Sequence, residues 1–297
     1  MAYRFKLKDR SVADGMRRIA GEQIEKALAS VEARDRSDAI HDIRKRCKKL
    51  RGLVRLVRPV FDGYAQENAG FRRLADSISA ARDSKVMQDT YDGLVNEFAD
   101  RIDRRALDSI RRQFALQRRA EAGTDGEARM RDVRDGLREA RERVAMWNLS
   151  ADGWEAIADG LRKTYQRACA ASAQARSCPD SRNFHELRKR IKYHWYHCRL
   201  LENLWPDLME ARQRPARRLS DLLGDHHDLG LFIAKLEGDR RAFGDQRDVE
   251  VAIGLARERQ ARLEKAAWPM IDRLLAQQPK PLARQFGALW AVWRQED

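Results

Sequence analysis

The sequence predicts an all-α protein, and three observations carry that expectation. Glycine and proline are sparse, with 17 and 7 copies in 297 residues. Ala, Leu, Arg and Glu are abundant. Apolar residues recur at three- and four-residue steps over long stretches, the period of an amphipathic helix. With 43% hydrophobic residues the chain can bury a substantial core and is expected to fold unaided.

Taken in order, the opening YRFKL alternates apolar and polar residues like a short strand, with no partner strand in view. Helices are predicted over 11–32, 37–58, 67–82, 86–98, 103–119 and 127–146. Between and after them, EAGTDGE at 121–127 and NLSADG at 148–153 hold the Gly, Asn, Asp and Ser of turns. A second helical series follows, broken at Pro179, Pro206 and the prolines of 279–281, where a backbone donor is missing.

The two series repeat one another. FHELRKRIKYHWYHCRLL at 184–201 lies on IHDIRKRCKKLRGLVRLV at 40–57 with an offset of 144 residues, so that His185 falls on His41, Arg188 on Arg44 and Lys192 on Lys48. RRLADSISAARD at 72–83 matches RRLSDLLGDHHD at 217–228 at an offset of 145, and MRR at 16–18 faces LRK at 161–163. Matches in one order mean two halves of similar plan, 1–148 and 149–297, within a single domain.

Within each repeated segment the letters resolve into two stripes. Ile40, Ile43, Cys47, Leu50, Val54 and Val57 form one seam at seven-residue spacing, which must be buried. His41, Arg44, Lys48, Arg51, Arg55 and Arg58 each lie one residue further on, a cationic stripe on the flank of that seam. The later copy buries Phe184, Leu187, Ile191, His194, Cys198 and Leu201, flanked by His185, Arg188, Lys192, Trp195 and Arg199. Long cations beside a seam often only cover apolar surface with their methylene stems. Here acids are scarce, and like charges four residues apart cost a few tenths of a kcal/mol each, so the stripes point to an anion supplied by a ligand. All six histidines, His41, His185, His194, His197, His226 and His227, lie in or beside the repeated segments. His194 occupies a seam position and suits packing, as to a lesser degree does His197; His41 and His185 lie on the cationic flank.

The whole chain carries the same bias. Sixty Lys and Arg against 46 Asp and Glu give a net charge of +14, which favours a polyanionic partner: nucleic acid, an acidic membrane surface or a phosphate polymer. MAYRFKLKD places cations where a secretory signal would be apolar, and no run approaches a membrane span, so a cytoplasmic, non-membrane protein is expected. The four cysteines, Cys47, Cys169, Cys178 and Cys198, are scattered without a C-x-x-C pair and read as reduced thiols rather than a disulfide framework or a zinc site.

The paired HDIRKRCKKLR-like segments, each trailed by a segment ending in ARD or HHD, resemble the CHAD family, the conserved histidine α-helical domain. The likeness spans nearly the whole chain, including the YRFKL start. It implies two pseudo-symmetric four-helix-bundle-like halves enclosing a basic groove or pore that binds inorganic polyphosphate without catalysis, needs no cofactor or metal, and accepts phosphate or sulfate ions as mimics. It also implies association with polyphosphate granules, where members of the family are found. Carried over by position, the implied contacts are His41, Arg44, Lys45, Lys48, Arg51 and Arg55, then His185, Arg188, Lys189, Lys192 and Arg199. The trailing segments add Arg72, Arg73 and Arg82, then Arg217, Arg218, His226 and His227. The halves depart from one another where Arg82 precedes Asp83 but His227 precedes Asp228, and where Gly52 and Trp195 stand in places open to a further cation. Asp76, Asp83, Asp221 and Asp228 are expected to pair with motif arginines and splay them toward the groove.

Two rival functions come from other classes. A nucleic-acid binder fits the charge, but few aromatics are interleaved with the cations for stacking, and the cations border a buried seam rather than presenting base-reading side chains. A metal-dependent phosphohydrolase is prompted by GDHHD at 224–228, with His227 and Asp228 as ligands, although neighbouring cations oppose a metal there. No Gly-rich phosphate loop of the nucleotide-hydrolysing type is present.

Overall fold

The structure, a computed structural model, describes residues 3–33, 35–102, 107–122 and 126–296, and their side chains except those of 80–84, 118 and 120–122. The described residues are helical and contain no strand, so the all-α expectation holds. The order is α1 Val12–Val31, α2 Arg36–Leu56, α3 Tyr64–Ser77, α4 Ala80–Glu97, α5 Asp108–Ala122 and α6 Gly126–Ala145. It continues with α7 Gly153–Ser177, α8 Ser181–Leu200, α9 Pro206–Gly238, α10 Gln246–Leu274 and α11 Pro279–Trp293. Short 3-10 turns at Glu202–Leu204 and Arg240–Phe243 lead into and out of α9. No helix among the described residues is long and apolar enough to cross a membrane.

The motif helices begin alike. Asp35 caps α2 by accepting from the Asp38 N–H at 3.0 Å, and Asp180 caps α8 by accepting from the Asn183 N–H at 2.7 Å. Both seams are buried as expected, from Ile40 to Val57 and from Phe184 to Leu201. Two expectations fail. The opening segment is no strand: Phe5 donates to the Leu200 carbonyl at 2.9 Å and the Tyr3 hydroxyl to the Lys49 carbonyl at 2.6 Å, so the alternation records burial of Tyr3 and Phe5 against the ends of α8 and α2. The helix expected over 67–82 is really two. Ile78 leaves helical geometry at φ −112°, and the Ser79 hydroxyl donates to the Asp76 carbonyl at 2.8 Å, a local bond that competes with the helix ladder. The helix expected from 86 therefore starts at Ala80, and the first residues of the one expected from 103 lie outside those described.

Three apolar cores result. The largest joins α1, α2, α3 and α6 to parts of α7, α8 and α11, so it crosses the line between 148 and 149. A second packs α4 and α5 on the end of α9 and the start of α10. A third holds the rest of α7, α8, α9 and α10. Each fully buried Leu, Ile or Phe contributes about 1.5–3 kcal/mol.

Two glycines set the contact between halves. A Cβ on Gly160 of α7 would stand 1.7 Å from the Leu56 carbonyl oxygen of α2, so only glycine permits this crossing. Gly52 of α2 lies against Tyr196 and Tyr3, and His197 Nε2 approaches its carbonyl at 3.0 Å. Gly52 thus stands where a cation would collide with Tyr196. This close approach turns the cationic flanks of α2 and α8 onto one space.

Candidate functional site: a basic cavity between the motif helices

A cavity of about 370 Å3 opens where α2, α3, α4, α8 and α9 meet. From α2 it receives Arg44, Lys48 and Arg51, and from α8 His185, Arg188, Lys189, Lys192, Tyr193 and Tyr196. From α3 come Arg72 and Asp76, from α4 Val86 and Met87, and from α9 His227, Asp228 and Leu231. Among the described residues, seven Lys and Arg side chains therefore share this space with two carboxylates.

Local contacts aim these groups. Arg44 Nη1 donates to the Ala75 carbonyl at the end of α3, and Arg51 Nε to Asn68 Oδ1 at 3.3 Å. Burial presses the Arg51 pKa below the ordinary arginine value, and the Arg55 and Arg72 cations add to this. Arg188 passes over Gly224 of α9, where an added Cβ would lie 3.0 Å from its Nη2. Arg72 pairs with Asp76 at 3.2 Å and Arg217 with Asp221 at 4.0 Å, as expected of these acids.

Outer cations are treated the same way in both copies. Asp42 pairs with Lys45 at 3.2 Å and Arg46 at 3.0 Å, and Glu186 pairs with Lys189 and Arg190. Burial alone would raise the Asp42 pKa, but bonds from Arg46, Ser30 and Lys45 hold it at about 2. The acid after each motif histidine thus pairs with the cations three and four residues further on, of which Lys189 also lines the cavity, while Arg44 and Lys48, and Arg188 and Lys192, line it from the flank.

On the cavity wall the rings of His185 and His227 stack with centroids 3.9 Å apart and planes at 33°. His185 Nδ1 is buried without a hydrogen-bond partner. Burial, then the Lys189 and Arg188 cations, lower the His185 pKa to about 4. Burial, then His185 and Arg188, lower that of His227 to about 3. Both imidazoles are neutral at pH 7 in the ligand-free protein. The sequence suggested His185 but gave no sign of this pairing.

Other residues named from the sequence lie elsewhere. His41 lines an adjoining pocket of about 350 Å3 with Asp38, Lys85, Asp89, Asp225 and Arg259, which shares Val86 and Asp228 with the basic cavity. Lys45 is turned outward to Asp42. Arg55 is buried, donating to the Tyr64 hydroxyl at 2.7 Å with its guanidinium 4.4 Å from the Tyr193 ring, so it braces the cavity wall from behind. Arg199 and Arg217 face a more open pocket with Trp195, Glu202, Glu210, Gln213 and Arg214. Arg73 and Arg218 are exposed beside Arg72 and Arg217, one helical step of about 100° away. The Arg82 side chain lies outside the described residues.

His226 is buried with Nε2 2.8 Å from Glu264 Oε1. His194 is fully buried and neutral, as its seam position required, and His197 serves the crossing at Gly52. All four cysteines are free thiols. No group of three or more His, Cys, Asp or Glu side chains among the described residues is arranged to hold a metal ion. Val86, Met87, Tyr196 and Leu231 line the cavity without a sequence signal; α4 reaches it by packing on α9 and α2.

Comparison with known proteins agrees with the fold. A family model described as the CHAD domain matches residues 18–237. The chain is 30% identical over 232 residues to the uncharacterized protein Rv2226 of Mycobacterium tuberculosis, and 29% to the uncharacterized protein MT2285 of another strain of that species. Each alignment covers 73% of this chain and 44% of the relative, so the match spans less than half the length of either. Among solved structures, the CHAD domain from the plant Ricinus communis superposes with a TM-score of 0.59 at 17% identity, covering 91% of this chain and 96% of that one. PptA from Streptomyces chartreusis superposes with a TM-score of 0.63 at 14% identity, covering 90% and 98%. At these identities the two structures speak to fold alone.

Proposed function

We propose that this chain, which belongs to the CHAD domain family, binds inorganic polyphosphate in the cavity between α2 and α8 and does not turn it over. The observation that carries this reading is the convergence of seven cations from three helices of both halves on one space with two carboxylates. Polyphosphate presents a charge at every phosphate and has no base to read. Its receptor needs guanidinium forks and ammonium groups around a flexible chain and little else. A cavity of about 370 Å3 admits a string of phosphates. Its cations converge inward on one space rather than standing out to enter a groove of a nucleic-acid duplex. The open pocket at Arg199, Arg214 and Arg217, further along α8, offers a route for the chain beyond the cavity.

Binding at fixed ionic strength tests the reading, because either polyanion alone shows a steep salt dependence. Long-chain polyphosphate is expected to bind and to resist displacement by duplex DNA at equal phosphate concentration; displacement would reassign the protein to nucleic acid. With added magnesium or manganese, no phosphate should be released from polyphosphate or nucleotides. Metal-dependent release abolished by Asp228→Ala would establish the hydrolase reading instead. Attachment to polyphosphate granules belongs to the same proposal and is checked by co-sedimentation.

A further inference from the structure

We infer that the stacked pair His185 and His227 is a proton acceptor built into the cavity, so that a phosphate polyanion enters together with a proton and is held more tightly as pH falls. This deepens the proposed function and rests on it.

The surroundings explain why the wall carries imidazoles rather than two more fixed cations. Around the pair, α8 brings Arg188, Lys189, Lys192 and Glu186, and α2 brings Lys48, Arg44 and Arg51. From α9 come His226 and Asp228, and from α3 the Arg72–Asp76 pair; among the described residues α4 contributes Val86 and Met87. Further permanent charge in this setting would repel the seven cations already present whenever the cavity is empty. Imidazoles stay neutral then and avoid that cost.

Several phosphate charges arriving in the cavity reverse the local potential. The charged form of imidazole becomes favoured, and the ring gains a second N–H donor. His185 Nδ1 is buried and lacks a hydrogen-bond partner, so no existing bond on that nitrogen fixes the ring in one protonation state. With centroids 3.9 Å apart, the two rings do not both accept a charge readily, so the pair titrates as a unit and takes up about one proton per filled cavity. Linkage fixes the sign. Bound pKa lies above free pKa, so affinity rises as pH drops through the bound value, by up to about tenfold per pH unit for one proton, and levels off below the free value.

The test is calorimetry of long-chain polyphosphate binding, whose interior phosphates carry no proton that titrates near neutrality. It is run in two buffers of different ionisation enthalpy and across pH 5.5 to 7.5, with the full chain and with His185→Gln/His227→Gln. The wild type is expected to take up close to one proton per filled cavity at the acid end, with affinity rising several-fold. The double variant is expected to bind with little proton uptake and a flat pH profile. Binding by wild type without proton uptake overturns the inference and leaves the polyphosphate reading standing. Uptake that persists in the variant also overturns it, and directs attention to Lys49, whose pKa burial and then Arg199 lower to about 7. No binding at any pH removes both readings. Should the variant not fold, histidine Cε1–H chemical shifts in the wild type decide: the His185 and His227 resonances, assigned apart from those of the buried His194 and His197, must titrate at higher pH when polyphosphate is added, and static ones reject the inference.

Discussion

The amino-terminal halves of α2 and α8 are copies in sequence, in cap and in ion pairing, yet their histidines end in different places. His185 stacks on His227 inside the basic cavity, while His41 lines the mixed-charge pocket next door. The cause lies in the trailing segments. After α8, the 33-residue α9 runs without interruption through 217–228 and delivers His227 to the cavity wall. After α2, the equivalent stretch breaks at Ile78 and Ser79, and the chain restarts as α4, which covers the cavity with Val86 and Met87. The helix that carries charge is alike in the two copies, while its neighbour differs: α9 brings His227 to the wall, and α4 brings Val86 and Met87.

The largest effect expected from breaking this comparison is on the crossing that brings the copies together. Gly160→Ala drives a methyl group into the Leu56 carbonyl, and should cost about 3 kcal/mol in urea unfolding. If the halves share one site, Arg44→Glu and Arg188→Glu should each weaken polyphosphate binding by about 10- to 100-fold, the worth of a charged contact of about 1.5–3 kcal/mol. Lys6→Glu and Lys280→Glu should cost far less; equal losses at all four positions in a binding assay would mean diffuse attraction. Asp42→Asn and Glu186→Gln release the outward cations and should raise affinity by about two- to fivefold, in line with partly exposed ion pairs.

A pH series without ligand separates the histidines. A base whose pKa is lowered by folding contributes stability that is full above its unfolded value of 6.5 and lost as pH falls through its folded value, about 4 for His185 and about 3 for His227. Thermal unfolding should therefore occur at lower temperature as pH drops from 6.5 towards 4, with a shallower slope in His185→Gln/His227→Gln. Asp42, held at about 2 against an ordinary 3.8, contributes stability above 3.8 that disappears as pH falls through about 2, so Asp42→Asn should flatten that lower window. The smallest change of all is expected from His41→Gln, with polyphosphate affinity within about twofold of wild type in the same binding assay.

What the chain disclosed in advance follows from the range of the forces involved. Helix class, both buried seams and the cationic flanks are short-range periodicities; Arg44, Lys48, Arg188 and Lys192 were visible because a repeat marked them twice, and Arg51 by its place on the cationic stripe alone. Arg55 and His226 carry the same letters but turn to Tyr64 and Glu264, partners that only packing supplies. Lys45 and Lys189 could be read either way until the pairing with Asp42 and Glu186 was seen. The break at Ile78 and Ser79 depends on one serine competing for a carbonyl, too slight a signal to outweigh helical spacing on both sides. The hydrophobic part of the cavity wall, Val86, Met87 and Leu231, is set by α4 lying on α9, a contact between residues far apart in sequence.

The bond from Phe5 to Leu200 ties the beginning of the chain to the end of the second motif helix. Closing a loop of about two hundred residues is slow, and nothing made earlier can substitute for it. The opening segment can meet α2 through Tyr3 and Lys49 early, but the bond from Phe5 must wait until the end of α8 is made. Until then the cations of the first half have no opposite wall to face.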